Sequence, residues 1–137
     1  MPSANRRAAP GPRDGGSVAV ETAVLAPLAL ILLVTVVQAG LWWHTRTLCH
    51  TAAHQGVQAA RTVTGTAADA HTTARSFLDR ASGLVGAPEI TAHVDGRSVR
   101  VRVAATAPQI LPIPGLGEVE QEAAGSKERF TLPGDLP

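Results

Sequence analysis

Residues 23–43 read AVLAPLALILLVTVVQAGLWW, and this run decides how the chain is organised. It holds no formal charge, and Thr35 and Gln38 are its main polar interruptions. At about 1.5 Å rise per residue, a helix of this length spans about 30 Å, the hydrocarbon thickness of a bilayer. Trp42 and Trp43 end the run, where paired indole rings suit the headgroup interface. The run therefore predicts a single transmembrane helix.

The segments on either side of the run predict its orientation. Residues 1–16 are rich in proline and glycine, carry three arginines and show no apolar periodicity, which is typical of a disordered leader. Only Arg46 and Arg61 follow the span closely, so the bias favours a cytoplasmic N-terminus. We therefore expect a single-pass protein of the cell membrane with a cytoplasmic leader (1–16), a transmembrane helix (17–43), an extracytoplasmic head (44–132) and a tail (133–137).

The head has the pattern of a small α+β domain. The first helix is expected to continue to Thr62, and apolar residues at spacings of three and four predict a second helix over 67–81. After Pro88 the period changes to two, and Asp95-Gly96 separates two alternating runs as in a hairpin. A third strand is expected near 118–130. The predicted fold is thus a long N-terminal helix, a short helix and an antiparallel sheet of two to three strands, as in pilins.

A processing motif lies at the start of the apolar run. The basic leader ends at Gly16, and Glu21 follows five residues later at the mouth of the helix. This combination resembles the cleavage site of type IV prepilins. The resemblance implies that a membrane-embedded prepilin peptidase cuts between Gly16 and Ser17, which makes Glu21 the fifth mature residue.

The chemistry of this motif is reasonable without the resemblance. A carboxylate against hydrocarbon costs at least a few kcal/mol unless it is paired. Cleavage after Gly16 would create an ammonium group on Ser17, one helical turn from Glu21, on the same or a neighbouring subunit. The alternative is that Glu21 only stabilises the positive end of the helix dipole.

The stretch from Gly16 through Glu21 and Pro27 to Leu30 also resembles the TadE-like family, the pseudopilins of the tight-adherence (Flp-type) pilus system. That family has a glycine, small residues, a glutamate usually followed by phenylalanine, and an apolar run broken by proline; here Thr22 replaces the phenylalanine. The resemblance implies a membrane-anchored structural component of pilus assembly, with roles in secretion and cell adhesion. Its partners would be the lipid bilayer, other pilin-type subunits and the prepilin peptidase.

Two other functions fit the same segment. Val37-Gln38-Ala39 could end an ordinary secretory signal, and cleavage there would release a small secreted protein starting at Gly40. The helix could also be the uncleaved anchor of a binding module.

Chemical functions are not expected. The chain has no catalytic, phosphate-binding or nucleic-acid motif, and its net charge is +1. We predict that it is not an enzyme, needs no cofactor or metal, and binds neither nucleic acid nor a small-molecule substrate. His50 and His54 share a helix face, but zinc needs three or four converging ligands. Cys49 is the only cysteine, either a small helix residue or half of an intermolecular disulfide.

Overall fold

The computed structural model describes residues 15–81, 83–112 and 114–128, with side-chain burial given from residue 18 onward. Two helices precede three strands: α1 (Gly15–Ala60), α2 (Ala67–Arg80), β1 (Gly86–Val94), β2 (Ser98–Thr106) and β3 (Glu118–Ser126). The strands form one antiparallel sheet in the order β1-β2-β3. The predicted α+β class is confirmed, third strand included. Most of the predicted leader (1–14) and the tail (133–137) lie outside the described residues.

The chain divides into two compact units, Met1–Val36 and Val37–Pro137. In the first, the described residues are helical and the side chains from Val18 to Val36 are almost all exposed. Helix α1 runs through Pro27 without interruption of the helix. The hydroxyls of Thr22 and Thr35 donate hydrogen bonds to the carbonyls of Val18 and Ile31, so neither needs a solvent partner.

The second unit has a core of small and β-branched residues. The C-terminal part of α1, α2 and the inner face of the sheet contribute to it: Cys49, Ala52, Ala53, Val57, Ala60, Ala70, Ala74, Leu78, Val99, Val101 and Val103. The absence of a side chain at Gly56 allows a close approach, because a Cβ there would lie 3.0 Å from the Ala70 carbonyl oxygen and 3.2 Å from Val101. Small residues therefore compensate for the shortage of large aromatic ones.

Helix α2 begins with a capping box. The Thr66 hydroxyl accepts a hydrogen bond from the Asp69 N–H, and the Asp69 carboxylate accepts one from the Thr66 N–H. These bonds satisfy donors that would otherwise lack partners at the helix start. The Thr66 hydroxyl and the Thr66 N–H also both donate hydrogen bonds to the Asp69 carboxylate, and these two bonds lower the pKa of Asp69 because they stabilise its ionised form.

The sheet follows the predicted alternation, with one difference at its start. Strand β1 begins at Gly86 and includes Pro88. The sequence pattern predicted that the strand would begin only after Pro88. Its pairing with β2 shifts between Gly86 and Glu89. Such an irregularity on an outer strand accommodates a proline, which has no N–H to donate. The predicted third strand extended to Phe130, but residues 129 and 130 lie outside the described range.

Candidate membrane anchor

The stretch from Val18 to Val36 is largely apolar, and nearly all of its side chains are exposed. Its exposed large side chains are Val18, Val20, Val24, Leu25, Leu28, Leu30, Ile31, Leu32, Leu33 and Val36. A helix that is apolar on every side belongs in a membrane or a protein core. At about 1.5 Å per residue, this stretch is about 28 Å long, close to the hydrocarbon thickness. Among the described residues, α1 is the one helix long and apolar enough to cross a bilayer.

The predicted processing residues lie at the start of α1. Gly16 and Ser17 are in its first turn. Glu21 is exposed, and it lies beyond the first turn of a helix that begins at Gly15. The attraction between a carboxylate and the helix dipole falls off within the first turn. In the uncleaved chain the dipole therefore stabilises the Glu21 carboxylate only weakly. Cleavage after Gly16 stays a prediction.

Gln38 belongs to the head, although the sequence places it inside the apolar run. Its side chain is 4% exposed and binds the backbone of the loop between β2 and β3. Its Oε1 accepts a 2.8 Å hydrogen bond from the Ile110 N–H, and its Nε2 donates a 3.3 Å bond to the Pro108 carbonyl. One amide thus satisfies a donor and an acceptor of a segment that forms no strand.

The next turns of α1 make further polar contacts in the head. The Trp42 indole N–H donates to the Glu118 carbonyl at 3.4 Å, and the buried Thr45 hydroxyl donates to Leu84 and to its own helix. Arg46 lies 5.6 Å from the Trp42 ring and 5.9 Å from the Trp43 ring, within cation–π range. The tryptophans therefore differ: Trp42 is half-buried and anchors the loop end, whereas Trp43 is largely exposed.

The histidine and cysteine side chains of α1 face different environments. The rings of His50 and His54 lie 4.4 Å apart and are exposed, whereas Cys49 is fully buried in the core. In the part of the chain that the structure describes, no three potential metal ligands converge. Burial raises the pKa of the Cys49 thiol to about 11. This position fits a small core residue and disfavours an intermolecular disulfide, because the sulfur is not accessible.

The family comparison matches the segment that carries the motif and the anchor. Residues 16–70 match the family model of TadE-like proteins. The match confirms the TadE-like resemblance of this segment. The TadE-like segment, residues 16–70, takes in α1 from Gly16 and the first turn of α2, and it leaves the sheet unmatched. No curated protein matches the chain significantly, and no solved structure does either.

The contacts of the β2–β3 loop were missed by sequence reasoning. A signal was present, since residues 103–117 contain no charged side chain although they include the connection between two strands. Connecting loops normally lie in water and carry polar residues. An uncharged, leucine- and isoleucine-containing loop is therefore a reason to look for an apolar environment.

Proposed function

We propose that the chain is a pseudopilin of a Tad-type pilus system, a structural subunit without catalytic activity that is anchored by α1 and processed between Gly16 and Ser17. The observation that carries this proposal is the exposed, largely apolar surface from Val18 to Val36, which begins within the glycine–glutamate motif and includes Glu21. Exposure on all sides leaves that surface to lipid or to other apolar helices. The TadE-like match supports pilin-type helices as the apolar helices that contact this surface.

Glu21 would act as the assembly residue of this helix. Its carboxylate is exposed next to Val20 and Val24; the nearest basic residues in sequence are Arg13, in the leader that cleavage would remove, and Arg46. Cleavage after Gly16 would supply the missing positive charge as the Ser17 ammonium group. Pairing of the two charges between neighbouring helices would offset the penalty of placing a carboxylate against hydrocarbon.

The orientation proposed is an N-terminus in the cytoplasm and a head outside. Before the anchor lie three arginines, which favour retention on the cytoplasmic side. The peptidase would then cut on that side, and the head would be available outside to contact other subunits.

A secreted protein is the second candidate, and the Gln38 contacts argue against it. Cleavage after Ala39 would cut within α1 and remove Gln38 from the head. The loop would lose both hydrogen bonds to that side chain, and the Ile110 N–H and the Pro108 carbonyl would lose their partner within the head.

N-terminal sequencing of the protein from its native membranes tests the proposal. We expect the mature chain to begin at Ser17 in the wild type. Gly16→Val should leave the leader attached, whereas Gly15→Val, at the neighbouring glycine, should be processed normally. A mature chain beginning at Gly40 identifies a secretory signal, and a wild-type chain that keeps residues 1–16 identifies an unprocessed anchor; either result contradicts the proposal.

A further inference from the structure

The loop between β2 and β3 exposes large apolar side chains. Ile110 is 51% exposed, Leu111 42% and Leu116 48%, and Pro112 and Pro114 are exposed between them. The loop contains no charged residue. Single exposed apolar residues are common on protein surfaces, but several in one uncharged loop mark a contact surface.

The loop has a defined conformation at its base. The Ala107 N–H donates a 2.7 Å hydrogen bond to the Gly117 carbonyl and closes the loop where the two strands end. The Gln109 side chain packs against Gly117, where a Cβ would displace it. The Gln38 side chain makes two further hydrogen bonds to the loop backbone. Together these contacts fix the backbone that carries the exposed side chains.

The position of the loop along α1 identifies its environment. Gln38 binds Pro108 and Ile110 and follows Val36, the last residue of the first unit, by two positions. Two residues span at most about 7 Å, so chain connectivity alone keeps Gln38 near the end of the apolar stretch. If the segment up to Val36 crosses the hydrocarbon, Gln38 and the loop backbone that it binds lie close to the end of the membrane span.

The neighbouring residues of α1 suit the same level. Trp43 is 63% exposed, and Arg46 follows within one turn, close to both indole rings. Tryptophan prefers the interface between hydrocarbon and water, and arginine there can bind lipid phosphates. Along α1, the exposed side chains therefore change from neutral and apolar to aromatic and cationic, as expected where a helix passes through a headgroup layer.

We infer that the loop around Ile110, Leu111 and Leu116 is a second membrane contact, which inserts into the headgroup region of the bilayer. The inference rests on the proposed anchoring of α1. A single helix leaves the head free to tilt on the membrane. Burial of three apolar side chains a few ångströms deep would restrict that tilt and set the height at which the head meets other subunits.

Quenching by spin-labelled lipids tests this contact in the full chain. On a Cys49→Ala background, the variants Leu111→Cys, Val63→Cys and Leu30→Cys each carry one environment-sensitive fluorophore in vesicles of phosphatidylcholine and phosphatidylglycerol. Val63 is a matched control, since it is 44% exposed and lies after the end of α1, 25 residues beyond Gln38. Leu30 reports on the anchor itself.

Each label has a distinct expected result. A nitroxide near the headgroup should quench the Leu111 label more strongly than a nitroxide deep in the acyl chain, as insertion to headgroup depth requires. A nitroxide deep in the acyl chain should quench Leu30, and neither should quench Val63. In a second series, Leu111→Asp should abolish headgroup quenching of a label at Leu116→Cys, whereas Val63→Asp should not.

Three outcomes overturn the inference, and they are distinguishable. An unquenched Leu111 label with a quenched Leu30 label rejects the loop contact and leaves the anchor in place. A blue-shifted but unquenched Leu111 label shows that protein, such as another subunit, covers the loop instead of lipid. An unquenched Leu30 label rejects the anchor and the loop contact together.

Discussion

The side-chain oxygen of Gln38 accepts a 2.8 Å hydrogen bond from the backbone N–H of Ile110, although 72 residues separate the two. This bond and the one from Gln38 to Pro108 connect the first helical turn of the second unit to an otherwise irregular loop. The head therefore begins at the end of the apolar stretch, before the two tryptophans. A residue that interrupts hydrophobicity in the sequence thus has a specific structural partner.

Replacement of Gln38 by leucine should destabilise the head. Gln38→Leu leaves the Ile110 N–H and the Pro108 carbonyl without partners, and we expect the free energy of unfolding to fall by about 1–3 kcal/mol. Amide exchange in the detergent-solubilised chain should show faster exchange at Ile110. Thr35→Val is the control, because that hydroxyl binds only its own helix, and it should change stability by less than about 0.5 kcal/mol. Equal effects of the two substitutions would argue against the Gln38 contacts.

The close approach at Gly56 should not tolerate a large side chain. Gly56→Leu places atoms against the Ala70 carbonyl and Val101, and overpacking of this kind costs about 1–3 kcal/mol. Gly40 is in the same helix, and a Cβ there meets nothing within 4 Å, so Gly40→Leu should be neutral or stabilising. Thermal unfolding followed by circular dichroism compares the two variants. A neutral Gly56→Leu would mean that α1 and α2 are less closely packed.

The capping box of α2 should make the head sensitive to acid. The pKa of Asp69 is below its ordinary value of 3.8 in the folded chain, so its contribution is present above that value and is lost as pH falls through the lower folded value. Thr66→Ala should lower stability at neutral pH by about 1 kcal/mol and weaken this acid dependence. Thr72→Ala, at an exposed position within α2, should do neither. If the stability of Thr66→Ala depended on acid as the wild type does, the lowered pKa of Asp69 would not come from its hydrogen bonds to Thr66.

The Cys49 thiol should react slowly in the folded head. Its pKa is about 11 and its side chain is fully buried, so alkylation at pH 8 should be at least about a hundredfold slower than for an exposed thiol. The comparison variant is Cys49→Ala combined with His50→Cys, which moves the thiol to the adjacent exposed position. Between pH 9 and about 11, the thiol is neutral in the folded chain and ionised in the unfolded chain. The free energy of unfolding should therefore decline as the pH rises through that range. An alkylation rate that levels off near pH 9 would indicate an exposed thiol.

Loss of the Glu21 charge should affect assembly and leave processing intact. Glu21→Ala is expected to yield the same mature N-terminus at Ser17, with pilus number or subunit co-purification reduced about tenfold or more, since an unpaired Ser17 ammonium group would remain in an apolar environment. Thr22→Ala controls for substitution at this depth, because the Thr22 hydroxyl binds only the Val18 carbonyl. Normal pili in the Glu21→Ala strain would count strongly against charge pairing.

Elements with local signals were predicted well. The hairpin around Asp95-Gly96 and the helix after Thr66 are each specified by neighbouring residues, through alternation, a turn glycine and a cap. The start of β1 was placed too late, because Pro88 reads as a strand breaker in sequence. Only the pairing of Gly86 with Thr106 across an irregular register shows that the strand continues before Pro88.

The sequence by itself determined the apolar helix, the glycine–glutamate motif before it and the α+β order of the head, because charge, hydrophobicity and periodicity are properties of adjacent residues. Only the tertiary structure decided that Gln38 belongs to the head, that Cys49 is buried while His50 beside it is exposed, and that the uncharged β2–β3 loop is held against α1. These features depend on contacts between residues far apart in the chain, and such contacts form only when the helices and the sheet pack.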